Sequence, residues 1–583
     1  MKKTILSALA ILVGLAIVYA CSGKGEKKEV RLMFFETSDV HGSYFPYNFI
    51  DRQNAPGGLA RITTVVRQKR QELGDDNVIL MDNGDILQGQ PCAYYYNFID
   101  TVSTHLAAAV MNYMKYDVAA MGNHDVEPGH PVYDRWVNDC RFPMLGANAV
   151  DVKTNAPYWK PYTILERQGV RIGVLGMVTP GIPNWLPENL WSGMRFEDMV
   201  KTARTWVPVL KEQEKVDVLV GLFHSGVGKP DAGQVMSENA ATQVAYEVPG
   251  FDVIFCGHDH RAACMQVANI EGDSVWIVNP GAHALNVATA EMTIQMEGKK
   301  VKDINVKGAL VNVEEVTPDS DFCKTFAKEE QTVRDFTEKI IGHSKNNLQT
   351  RPAFFGPSAF IDFIHSLQLG ISKADISFVA PLSFDAEIAA GDIRVSDMFN
   401  LYKYENLLYV MKLTGKEVKD FLEFSYANWT NQMKSANDHL LYFRQGAESA
   451  ADPWQRLQNP SFNFDSAAGI IYTVDVTKPE GHKISIKSMA DGSPFSMTRN
   501  YNVALNSYRG NGGGGHLTDG ARIKKEELNS RIVWTTSKDL RYYLMQEIIH
   551  LKDINPKPLN QWKFVPENWT NSAAQRDAEI LFK

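Results

Sequence analysis

Between Val30 and about Val313, short apolar, β-branched runs alternate with helix-like stretches, and this alternation restricts the possible folds more than any other feature of the chain. Arg31-Leu-Met-Phe-Phe, Val78-Ile-Leu-Met, Tyr116-Asp-Val-Ala-Ala-Met, Val170-Arg-Ile-Gly-Val-Leu-Gly, Val216-Asp-Val-Leu-Val-Gly-Leu and Phe251-Asp-Val-Ile-Phe are bounded by polar residues and read as strands. Gly58 to Leu73 and Met199 to Glu214 read as helices between them. Elements alternating in this way form a layered α/β sheet. Open α/β sheets place their sites at the C-terminal ends of strands.

At those ends stand Asp39-Val-His41, Asn83-Gly-Asp85, Gly122-Asn-His-Asp125, Phe223-His224 and Gly257-His-Asp-His260. Taken singly, most have an ordinary reading: an Asx-type turn at Asp39, a loop at Gly84-Asp85, a satisfied core histidine at His224. All five in order, each after a strand, leave those readings little room. A two-metal hydrolytic site needs hard or borderline ligands around each ion, a bridging oxygen and an open position. Asp39, His41, Asp85, Asn123, His224, His258 and His260 supply such a set, and His124 is left over.

The motif order D-x-H, G-D, G-N-H-[DE], a lone H and G-H-x-H resembles the calcineurin-like metallophosphoesterases. That resemblance implies a four-layer αββα sandwich over residues 30–316. It gives Asp39, His41 and His260 to one metal, Asn123, His224 and His258 to the other, and Asp85 to both. His124 would then stabilise charge or protonate the leaving oxygen. An acidic residue orients it, either Asp125 or Glu127, and the family pattern of an acid three positions on favours Glu127. Nitrogen and oxygen ligands suit two divalent ions, Zn²⁺, Mn²⁺, Fe²⁺ or Co²⁺, without choosing among them.

The chain has 583 residues, 44% hydrophobic and 22% charged, with a net charge of −8. That length suggests about three to four ordinary domains or two large ones, and two large ones fit the pattern better. Without a basic stretch, polymeric nucleic acid is an unsuitable ligand. Lys2 and Lys3 precede an apolar run to Ala20, which reads as an export signal over residues 1–20 or as an uncleaved anchor. Val18-Tyr-Ala-Cys21 resembles a bacterial lipobox, so Cys21 is the expected acylation site and 21–29 a polar tether. The expected product is an exported monomer, lipid-anchored to a bacterial membrane and facing the periplasm or the cell surface. The other cysteines form no C-x-x-C pair, so neither a disulfide framework nor a zinc knuckle is indicated.

Residues 317–346 read as a connector built on one charged helix, Phe322 to Ile341. Residues 347–556 mix helices (Ala359 to Leu369, Gly415 to Tyr426) with strands (Ile376 to Val379, Leu407 to Leu413, Ile470 to Val476, Tyr501 to Leu505). The tail, 557–583, gives no clear signal. Two segments stand out: Ser461-Phe-Asn-Phe-Asp465 and the glycine-rich Asn506-Ser-Tyr-Arg-Gly-Asn-Gly-Gly-Gly-Gly-His516. Both resemble the C-terminal α/β substrate domain of the 5′-nucleotidases, where two rings clamp a base. On that pattern Phe464 and Tyr508 form the clamp, lined by Asn506, Asn511, Gly512 and Gly513.

The resemblance implies a nucleotide phosphoester hydrolase. Members acting on 5′-nucleotides typically carry Asn-Gly-Gly-x-Arg where this chain reads Val379-Ala-Pro-Leu-Ser-Phe384, without arginine. Gly356-Pro-Ser-Ala-Phe360, Leu401-Tyr-Lys-Tyr-Glu-Asn-Leu407 and Phe462-Asn-Phe-Asp465 resemble instead the branch that opens 2′,3′-cyclic nucleotides and removes 3′-phosphates. The alternatives are a 5′-nucleotidase or UDP-sugar hydrolase, and a non-catalytic surface lipoprotein that captures nucleotides. Clamp and metals on separate domains imply a hinge near the connector.

Overall fold

The computed structural model describes residues 27–230, 234–447, 450 and 452–582. Cys21 and the leader lie outside them. Two six-stranded sheets face each other in the N-terminal part. The first contains β1 (Lys27–Thr37), β2 (Val78–Asp82), β3 (Val118–Ala120) and β4 (Met144–Leu145). The second contains β5 (Tyr162–Arg167), β6 (Val170–Val178), β7 (Val218–His224), β8 (Val253–Cys256), β9 (Ala263–Ala268) and β10 (Ser274–Asn279). A long hairpin, β11 (Asn286–Glu297) and β12 (Lys300–Asn312), returns to complete the first sheet. The strand orders are β12-β11-β1-β2-β3-β4 and β9-β10-β8-β7-β6-β5.

Strands β1, β2 and β3 run parallel, as do β6, β7 and β8, so their C-terminal ends meet at one edge. The runs are apolar on both faces because each sheet is covered twice. Leu32, Phe34, Ile79 and Met81 meet Val218, Val220, Val253 and Phe255 between the sheets. The outer faces are covered by helices such as Leu59–Leu73 and His130–Asp139 on one side, and Met199–Pro208 and Ala241–Glu247 on the other. This is the expected αββα layering.

The connector differs from expectation. In place of one helix there are two, Ser320–Thr325 and Ala327–Glu338, broken at Phe326, whose φ of −105° and ψ of 16° leave helical geometry. Phe326 turns into the catalytic-domain core, and that burial outweighs helical continuity. Ile340–Ser344 is a strand that pairs with Gly391–Arg394 and Asp553–Ile554. The second unit centres on a five-stranded sheet ordered Ser466–Ala468, Ile376–Val379, Asn500–Asn506, Leu407–Thr414, Ile532–Asp539.

The tail belongs to this unit rather than following it. Trp562–Val565 pairs with Ile470–Asp475, and Glu567–Phe582 is a helix that buries Ala573 and Leu581. Its Asp577 accepts from the amides of Leu440 and Leu441, both at 2.8 Å. Among the described residues, no helix is long and apolar enough to cross a membrane.

Candidate metal centre

The strand ends deliver their motifs through tight, strained turns. Asp39, His41, Asp85, His258 and His260 all have positive φ, between 48° and 72°. Non-glycine residues hold that conformation only where surrounding contacts fix it, and such positions cluster at functional sites. Here the contacts are backbone hydrogen bonds from Asp39 N to Gly84 O and from His41 N to Asp85 O, each 2.9 Å. Asp125 adds a knot: its carboxylate accepts from the amides of Asp85, Ile86, Leu87 and Gly122. Gly122 is obligatory for space, since a Cβ there would come within 2.2 Å of Asp85 Oδ1.

Two groups of ligand atoms result: Asp39, His41 and His260, and Asp85, His224 and His258. His41 Nε2 lies 2.9 Å from His260 Nε2, and His260 Nε2 lies 3.3 Å from Asp39 Oδ1. In the second group, His224 Nε2 is 3.1 Å from Asp85 Oδ2 and 3.0 Å from Asn123 Oδ1. Asn83 O accepts from His224 Nδ1 at 2.7 Å and Gln88 Oε1 from His41 Nδ1 at 3.1 Å, which turns both Nε2 atoms inward.

Asp39 Oδ1 and Asp85 Oδ2 are buried without a hydrogen-bond partner. Orphaned carboxylate oxygens beside inward-facing imidazoles are what a cation site requires, so the residues fit divalent metal. Burial opposes ionisation of Asp39, yet the adjacent His260 and the nearby His224 bring it down to about 2. Burial likewise opposes ionisation of Asp85, but His224 and His124 hold it well below the ordinary carboxylate range. Burial and His260 keep His41 well below the usual imidazole value. Ionised carboxylates and a neutral imidazole are the ligating forms.

His124 stands outside both groups. Its amide donates to Asp85 Oδ1 at 2.7 Å, and its Nδ1 donates to Glu127 Oε2 at 2.5 Å. Burial disfavours its charge, but Asp85 and Glu127 outweigh burial and raise it to about 10. Glu127 is therefore the residue paired with His124. Asp125 is not; it is consumed by backbone amides.

A cavity of 260 Å³ opens beside this centre. The catalytic domain contributes Asn123, His124, Glu127, His258 and Trp185, and the second domain Tyr404, Phe462, Asn506 and Tyr508. Phe464 is not part of it. The short turn Ser461–Asn463 breaks the alternation a strand would give, leaving Phe462 at the cavity and sending Phe464 inward. There Phe464 is fully buried and stacks on Trp429 at 5.4 Å and 4°.

Asn506 lines the cavity and caps the next turn, accepting from Arg509 N at 2.8 Å. Asn511 faces a separate hollow beside Tyr409 and approaches Trp185 O at 3.5 Å. Gly512 and Gly513 do not line the cavity either: Gly512 makes a turn with φ of 98°, and Gly513 backs the Tyr508 ring, where a Cβ would approach to 2.6 Å.

Sequence reading missed Phe462, Trp185, Tyr404 and Arg509. Arg509 had a signal in its place directly after the clamp residue Tyr508. It is buried, pairs with Asp465 at 2.7 Å and donates to Phe462 O and Gly513 O, tying both segments together. Trp185 had none, because it reaches the cavity from a short helix, Ile182–Trp185, that lies between motifs.

Residues 33–262 match the calcineurin-like phosphoesterase family, and residues 340–519 match the 5′-nucleotidase C-terminal domain. The trifunctional nucleotide phosphoesterase protein YfkN of Bacillus subtilis is 29% identical over 93% of this chain, which spans 39% of that protein's length. The 2′,3′-cyclic-nucleotide 2′-phosphodiesterase/3′-nucleotidase of Salmonella typhimurium is 26% identical, covering 95% of this chain and 91% of its own. The crystal structure of a 5′-nucleotidase precursor from Thermus thermophilus superposes with a TM-score of 0.61 at 20% identity, covering 92% of this chain and all of its own, which speaks to fold alone.

Proposed function

We propose that this chain, which belongs to the calcineurin-like phosphoesterases that carry a 5′-nucleotidase C-terminal domain, hydrolyses nucleotide phosphoesters at a pair of divalent metal ions, with 2′,3′-cyclic nucleotides and 3′-nucleotides as its substrates. One observation carries the reading: a single cavity is lined both by metal-ligand candidates, Asn123 and His258, and by the rings of Phe462 and Tyr508. On this reading, phosphate chemistry and base recognition share one space of 260 Å³.

Asp39, His41 and His260 would hold one ion and Asn123, His224 and His258 the other, with Asp85 available to both. Ions there supply Lewis acidity towards phosphoryl oxygens and lower the pKa of water towards ~7. The chain's own residues do the rest. Phe462 and Tyr508 take the base between their faces, a contact that tolerates purines and pyrimidines alike. Asn506 offers its amide from the cavity wall. His124, held protonated by Asp85 and Glu127, stands ready to give a proton to the leaving oxygen or to neutralise charge developing on the phosphoryl oxygens.

The cyclic and 3′-nucleotide branch is supported by the missing arginine in Val379–Phe384 and by a relative of that activity aligned along nearly the whole of both chains. Cys21, outside the described residues, would tether the enzyme to a bacterial membrane through acylation.

The deciding experiment incubates metal-loaded protein with 2′,3′-cyclic AMP, 3′-AMP, 5′-AMP and a UDP-sugar, and follows phosphate and nucleoside products by chromatography. The expected result is turnover of the first two well above the others. Faster release from 5′-AMP or the UDP-sugar would move the protein to the 5′-nucleotidase branch. No turnover of any substrate with Mn²⁺, Co²⁺ or Zn²⁺ supplied would leave a nucleotide-capturing receptor.

A further inference from the structure

Glu238 has no counterpart among the motifs, yet its carboxylate Oε1 lies 2.9 Å from His258 Nε2. It sits in the segment between β7 and the helix Ala241–Glu247, and that segment is pinned to the strand end carrying His224. Ser225 Oγ donates to Glu238 O at 2.7 Å and accepts from Ala240 N at 2.8 Å. Gly228, at φ of 64°, lets the neighbouring Asn239 approach so closely that a Cβ would come within 1.9 Å of its carbonyl oxygen. On the other side Trp185 stacks on the His258 ring at 5.5 Å and 28°. His258 is thus held by a carboxylate at its edge and an indole on its face.

An ionised carboxylate only accepts hydrogen bonds, so the Nε2 beside it carries the proton. Nδ1 is then the nitrogen left with a lone pair for a metal. His258 is grouped with Asp85 and His224, their ligand atoms all within 4.8 Å of one another. Histidine ligands commonly owe their tautomer and orientation to such an outer partner, whose loss costs about 10- to 100-fold in metal affinity.

We propose that Glu238 is a positioning residue for the second metal site, fixing the tautomer and direction of His258, with Trp185 limiting the swing of its ring. The inference rests on the dinuclear reading above. With its side chain 52% exposed, Glu238 can be replaced without disturbing the core.

The test strips metal from wild type, Glu238→Ala and Glu238→Gln and titrates each with Mn²⁺ against a fluorescent chelator, with no substrate present. In Glu238→Ala, one of two dissociation constants is expected to rise about 10- to 100-fold while the other stays within twofold. Glu238→Gln is expected to fall between, because its amide oxygen still accepts from Nε2–H. Excess Mn²⁺ is expected to restore turnover to Glu238→Ala. Two unchanged constants in Glu238→Ala would overturn the proposal, and unchanged constants with a raised KM would reassign Glu238 to substrate contact. A wild type that binds no metal would overturn the dinuclear reading itself.

Discussion

His124 and Asp125 are neighbours in the chain with unrelated tasks, and the difference is one of direction. Asp125 points into the turn and accepts from four amides, whereas His124 points to the cavity with Glu127 behind it. Replacing His124 by Asn should lower kcat by about 10²- to 10⁴-fold with metal content unchanged, as elemental analysis would show. Glu127→Gln tests the pairing through pH. With the imidazole raised to about 10, its protonated form persists through neutrality and is lost only as pH rises through that value. A cation on Asp85 cancels part of that residue's support, making Glu127 the main support. The alkaline limb of the kcat profile should therefore move to lower pH in Glu127→Gln; an unmoved limb would detach Glu127 from the proton. Phe462 and Phe464 separate on similar logic. Phe462→Ala should cost about ten- to hundredfold in kcat/KM for nucleotides, leaving p-nitrophenyl phosphate and stability unaffected. Phe464→Ala should instead remove about 3–5 kcal/mol of stability in urea.

Among the elements, the turns after β1, β2 and β3 are one interlocked unit. Asp39 bonds to the turn of Asp85, and Asp125 bonds to both the Asp85 and Gly122 turns. Gly122 is where the unit is tightest. Gly122→Ala would drive Cβ into Asp85 Oδ1 and N, at 2.2 and 2.3 Å. The expected outcome is loss of bound metal with an unchanged far-UV circular dichroism spectrum; full metal content in that variant would show that the turn can yield. The connector teaches a different lesson. Its charged periodicity suits a long helix, but Phe326 is worth more in the core than in line, so the helix breaks there. Ile340–Ser344 then pairs as a strand because its partners, Gly391–Arg394 and Asp553–Ile554, arrive from far along the chain.

For the molecule as a whole, the site exists only where the two units meet, and a few aromatic contacts hold them there. Tyr94 of the catalytic domain packs edge-on against Phe399 at 5.5 Å and lies under the Arg541 guanidinium. Arg541 also donates to Tyr402 O and Lys403 O, which fixes the loop presenting Tyr404 to the cavity. Tyr94→Ala should loosen this closed arrangement. Turnover of nucleotides should fall while metal content and p-nitrophenyl phosphate hydrolysis hold, and small-angle scattering should report a larger radius of gyration. The layered fold was legible because sheet burial and strand–turn succession write a local pattern, and the candidate metal ligands because each follows a strand in a short motif. Tertiary structure alone decided that Glu127 and not Asp125 faces His124, that Phe462 and not Phe464 faces the cavity, that the tail helix completes the second core, and that Glu238 and Trp185 contact His258. By itself the sequence determined which atoms are available for the chemistry, since residue type and strand position are local properties. Which way each side chain points depends on packing between segments from 20 to 137 residues apart, and no local pattern carries that information.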